Sequence, residues 1–170
     1  MAIATDFIRR LRHRRREIEG ELGYFGLGGW WSSMFSGKEQ DHIEAAFSAM
    51  ILGAGPRPLT TGRGASTFRT ATSLLVTVAA SLRKAPGNRP LASKVLAEAE
   101  RRAQAEDDVV GLHLVYQEMI RLHSRWRDHF VDALNLTFGA CHKQVAMAEM
   151  VANALAEQRP GKPLPMHLGF

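Results

Sequence analysis

The chain has 170 residues, 45% of them apolar and 23% charged, a length and composition that suit one folded unit with a real core and exclude a disordered chain. Its net charge of +5 is unevenly placed, because residues 1–16 hold Arg9, Arg10, Arg12, Arg14, Arg15 and Arg16 against Asp6 alone and the rest of the chain is balanced. The single cysteine, Cys141, excludes an intramolecular disulfide and a Cys-rich zinc site.

Apolar spacing predicts a first helix from about Thr5 to Leu22, with Phe7, Leu11, Ile18 and Leu22 on one stripe and Arg14 in its middle. Gly23, Gly26, Gly28 and Gly29 are expected to end it, leaving a flexible segment in which Tyr24, Phe25, Leu27, Trp30 and Trp31 crowd together. This divides the chain into a basic helix and linker over 1–29, a helical domain over 30–158 and a Pro-rich tail over 159–170. Ser36 and Glu39 form a capping-box pattern for a second helix, about Gly37 to Leu52. A glycine- and proline-rich loop follows, and Ser66 or Thr67 is placed to cap a third helix through Phe68, Thr72, Leu75, Ala79 and Leu82.

Pro90 suits the first turn of a fourth helix with the small-residue stripe Leu91, Val95, Ala99 and Ala103. Asp107 or Asp108 is expected to cap a fifth, on which Leu112, Tyr116, Met119, His123 and Trp126 step by four and three. A sixth is expected from about His129 to Gln158, with a break near Gly139. No stretch alternates with period two, so the fold class is all-α with about six helices in hairpins or a bundle.

Leu112 and Tyr116 on the fifth helix, and Ala133 and Ala140 seven apart on the next, sit where a helical hairpin places its large and small packing residues. With the two helices joined by one or two residues, this part, about a quarter of the chain, resembles a tetratricopeptide-type hairpin. The tail Pro163 to Phe170 looks like the lead into a further helix of such an array. The resemblance implies a scaffold that receives a peptide or partner protein, and it implies no catalysis.

The seven histidines offer no helical pair at the i, i+3 or i+4 spacing of a metal site; Glu118 and His123 are five apart. His123 reads as a partly buried packing residue and the other histidines as surface. Cys141 and His142 are neighbours and diverge by about 100° on a helix, so Cys141, following Phe130, Leu134 and Phe138 on one face, reads as a small core residue. No catalytic residue, metal or cofactor is assigned.

Three places could meet a partner. Arg57 and Arg63, in the glycine-rich loop before a helix start at Thr67, could hold an anion. Arg10, Arg12 and Arg16 lie off the apolar stripe of the first helix and could contact nucleic-acid phosphates through residues 9–16, or lie on an anionic membrane. Trp30 and Trp31 point different ways on any helix, so one is expected at an interface. The reading is a non-catalytic interaction or assembly subunit in the cytoplasm, with a small nucleic-acid-associated protein as the alternative. An enzyme with a diffuse site is a third reading.

Overall fold

The computed structural model describes residues 18–51, 55–62 and 66–158. These residues form eight α-helices, one 3₁₀ turn and no strand: α1 Gly20–Tyr24, α2 Gly28–Met34, α3 Gly37–Ser48, α4 Ala71–Leu82, the 3₁₀ turn Pro86–Asn88, α5 Arg89–Ala105, α6 Val109–Arg125, α7 Ala133–Ala146 and α8 Ala148–Gln158. The all-helical class read from the periodicity is therefore correct.

Local chemistry explains most of the boundaries. The Ser36 box starts α3, with the Glu39 carboxylate accepting from the Ser36 amide at 2.8 Å while Glu39 N–H donates back to the Ser36 hydroxyl at 3.4 Å. Asp108 caps α6 by accepting from Gly111 N–H at 2.7 Å, and Pro90 lies in the first turn of α5, where its missing N–H is no loss.

One core cluster draws on α1 to α6 and on α8. α4 packs on α3, α5 and α6, α5 on α6, α6 on α7, and α8 returns onto α6. From α5, Val95, Ala99 and Ala103 are fully buried as their stripe requires, joined by Ala92 and Leu96. Small side chains there let the neighbouring helices approach closely. α6 is the central helix, with Val115, Tyr116, Ile120 and Leu122 all buried.

Several expectations are corrected. Gly20 takes φ +62, so a helix from Thr5 does not run through to Leu22; residues 1–17 lie outside the described part. α1 starts afresh at Gly20, where the amides of Gly20, Glu21 and Leu22 donate to the carbonyls of Gly62, Pro58 and Leu59. A Cβ at Gly20 would sit 2.7 Å from the Pro58 carbonyl oxygen, so glycine is required. Gly28 and Gly29 open α2 instead of ending a helix, and Leu22 and Leu27 share one core with Trp31 and Phe47.

α4 begins later than Ser66 or Thr67. Its cap is Thr70, which exchanges bonds with Ser73 at 3.1 and 3.2 Å, and this leaves Phe68 in the preceding loop, tilted against Phe47. The long last helix breaks at Met147, the cap between α7 and α8, and Gly139 lies inside α7. Turns over 126–132 separate α6 from α7, so the hairpin is looser than its sequence implies. Asp132 stands at the α7 cap position without capping it, because its carboxylate is held by Arg89.

Candidate functional site

Of the residues singled out in the sequence, Arg10, Arg12, Arg16 and Arg63 lie outside the described residues. Trp31 is 1% exposed and belongs to the core, against Phe35, with its indole N–H sealed in and unpartnered. Trp30 is half-buried and stands edge-on to Phe35 at 5.4 Å. Trp31 is thus closed to a partner, whereas Trp30 keeps part of its ring at the surface. Arg57 is exposed and paired with Asp41 at 3.1 Å; with Gln40, Thr60 and Thr61 it borders a cleft of about 640 Å³ that Ile18 and Trp31 also line. Thr67 is exposed and stands apart from the start of α4, where Thr70 Oγ1 accepts from Ser73 N–H and Ser73 Oγ accepts from Thr70 N–H. Among the described residues, the helix N-terminus that the anion reading relied on is thus displaced and capped.

The most organised polar cluster lies where α5, α6 and α7 meet. Arg89, at the start of α5, donates from Nε to His123 Nδ1 at 3.3 Å and from Nη2 to Asp132 at 2.8 Å, and its guanidinium lies 4.5 Å from the centre of the Phe130 ring. Burial, and next the Arg89 charge, push the His123 imidazole down to about 4, so the ring is neutral at pH 7. The Arg89 guanidinium in turn holds the Asp132 carboxyl below its ordinary range.

Further along the same helices, the Glu100 carboxylate accepts from Tyr116 at 3.0 Å and from Lys143 at 2.7 Å. Burial, and then that carboxylate, push the Tyr116 phenol up to about 12. Between the two clusters runs a groove of about 390 Å³, floored by Leu96 and Met119 and walled by Leu136 and Ala140. Its surface is mostly apolar, with Ser93, Asn135 and the neutral His123 ring as its uncharged polar groups.

The opposite flank of α7 is different again. α7 turns Ala133, Ala140, Gln144 and Met147 inward. At 100° per residue this leaves Leu134, Phe138, Cys141 and Val145 on a common outward stripe. Leu134 is 48% exposed, Phe138 56% and Val145 42%, and Cys141 is half-buried. The face expected to seat Cys141 in the core thus points to solvent, because the small residues carry the α6 contact. No hydrogen bond joins Cys141 to His142. Among the described residues no group of three or more His, Cys, Asp or Glu could hold a metal ion, and no helix is long and apolar enough to cross a membrane.

Sequence reasoning missed the Arg89–His123–Asp132 cluster and His113, which is 2% exposed beside Gln144 and is no surface residue. The cluster's members lie 34 and 43 positions apart, so no local spacing announces them. The sequence pattern starts the last helix at about His129 and so places Asp132 inside it, whereas the structure puts Asp132 at the α7 cap position. Comparison of the chain with protein-family models, with curated proteins and with solved structures finds no match.

Proposed function

We propose that the chain is a non-catalytic interaction or assembly subunit built on helical hairpins, and that its partner covers the outward stripe of α7. The observation that carries this reading is the exposed run Leu134, Phe138 and Val145 on a well-formed helix. Scattered exposed apolar residues are ordinary, whereas a stripe along one helix leaves a contiguous apolar face in water. An aromatic at the centre of such a stripe has the make-up of a binding anchor.

The order of packing supports the hairpin part of the proposal. α4 pairs with α5 and α6 with α7, and both α4 and α5 touch α6, an order compatible with consecutive helical hairpins. The helix that follows, α8, packs back onto α6 and leaves the outward stripe of α7 open to a partner.

The test is affinity capture from the source cells with the full chain, comparing wild type with Leu134→Gln/Phe138→Gln/Val145→Gln. A partner recovered in stoichiometric amount by wild type and lost by the variant, at unchanged thermal stability, supports the reading. Equal recovery by both, or no stoichiometric partner, sinks it. Recovery of nucleic acid that falls steeply with salt and does not respond to the α7 variant would favour the arginine segment 9–16 instead.

A further inference from the structure

We propose that the groove between α5 and α7 is a binding site for an uncharged, mostly apolar small molecule that places a hydrogen-bond acceptor against His123. The site lies on the opposite flank of α7 from the stripe discussed above and does not depend on it. Four observations lead there.

The first is size and lining. About 390 Å³ of groove, lined by Leu96, Met119, Leu136 and Ala140 with Ser93 and Asn135 as neutral polar groups, falls in the range of small-molecule sites, which are mainly apolar with a few placed polar groups. Charge is the second. Arg89 is matched by Asp132 at one end and Lys143 by Glu100 at the other. Both pairs are compensated internally, so neither a cationic nor an anionic ligand finds an unmatched charge, and a charged ligand would lose hydration without return.

The third is the tautomer of His123. Its Nδ1 accepts from the Arg89 guanidinium, which can only donate, so the proton of the neutral ring sits on Nε2. Arg89 is the only group among the described residues that hydrogen-bonds this ring. The residue is 6% exposed and lines the groove, and Nε2 is not among the atoms sealed from solvent. It is therefore a neutral N–H donor on a residue that lines the groove, and an acceptor on a ligand is the group that satisfies it.

The fourth is Gly139. A glycine inside a helix weakens it relative to alanine, yet here no turn requires one and an added Cβ would meet nothing within 4 Å. Gly139 lines the groove, so a long side chain placed there has room to enter it.

The experiment is a titration of the full-length ¹⁵N-labelled chain at pH 7 with three molecules of one shape. These are 4-phenylbutan-2-one (neutral, with an acceptor), butylbenzene (no acceptor) and 3-phenylpropionate (charged). The ketone is expected to give saturable shifts at the Leu96, Met119 and Gly139 amides and at His123 Nε2, and the carboxylate to bind about tenfold more weakly or worse. In His123→Phe the preference for ketone over butylbenzene should fall by about threefold or more. Gly139→Leu, which fills the groove and strengthens the helix, should abolish the ketone shifts with no loss of thermal stability. Should His123→Phe fail to fold, the wild-type Nε2 shift and Gly139→Leu still decide. The proposal is overturned by any of three results: no saturable shift in the groove, carboxylate binding as tight as ketone binding, or ketone binding unchanged in Gly139→Leu.

Discussion

His123→Gln should change how the protein responds to acid, and the size of the change follows from the Arg89 cluster. In the folded chain burial and Arg89 hold the imidazole near 4, against an ordinary 6.5. Unfolded chains therefore bind a proton at this position between pH 6.5 and 4 while folded chains do not. Stability from this residue is fully present above about pH 7, falls as the pH drops through that window, and levels off below it. At about 1.4 kcal/mol per pKa unit, the loss across the window is about 3 kcal/mol. Glu118 acts with the opposite sign, since burial raises its pKa and the folded state holds its proton more tightly. The wild-type curve alone would thus understate the histidine. Glutamine keeps an acceptor for Arg89 and carries no titrating group, so the difference between the two proteins isolates it. Urea unfolding at pH 7, 6, 5 and 4 measures that difference, and wild type should lose about 3 kcal/mol more than the variant between the two ends. Parallel pH curves would refute the buried neutral histidine.

Gly20→Ala should destabilise by about 3 kcal/mol, combining a left-handed backbone with a Cβ forced onto the Pro58 carbonyl; a loss under 1 kcal/mol in chemical denaturation would contradict the geometry of the α1 start. Ser36→Ala and Thr70→Ala should each cost about 1 kcal/mol and add in the double variant, because the caps serve separate helices. Trp31→Ala should cost about 3–5 kcal/mol, and Trp30→Ala, half-buried at the edge, clearly less; equal losses measured by thermal unfolding would show that Trp31 is not the core residue of the pair.

The helical class and the α3, α5 and α6 starts were legible because they rest on neighbours in sequence: Ser36 with Glu39, Pro90 in a first turn, and Asp108 before an apolar run. Thr70 was harder to find, since Ser66, Thr67 and Thr70 are all able caps and only the packing of Phe68 against Phe47 decides among them. Glycine misled around α1 and α2. The same residue ends a helix, opens one at Gly28 or makes the left-handed turn at Gly20, and the choice depends on the loop Pro58–Gly62 folding back onto α1.

α7 shows a different failure. Leu134, Phe138 and Val145 are the larger and more apolar stripe, and periodicity alone sends them inward. The stripe that turns in is Ala133, Ala140, Gln144 and Met147, because small residues let α7 lie closely on α6. The groove and its polar ends were invisible for the reason that Arg89, His123 and Asp132 come from three elements. Only the packing of α5 and α7 on α6 brings them together.

The outward stripe of α7 is the central claim, and site-specific photo-crosslinking tests it most directly. A benzoylphenylalanine carried at position 138 in the full chain, irradiated in the source cells, should give one discrete crosslinked product. That product should vanish when Leu134 and Val145 are changed to Gln, and a probe at the exposed polar position Arg101 should give none. A probe at 138 that yields no more product than the one at 101, or a product indifferent to Leu134 and Val145, would contradict the account.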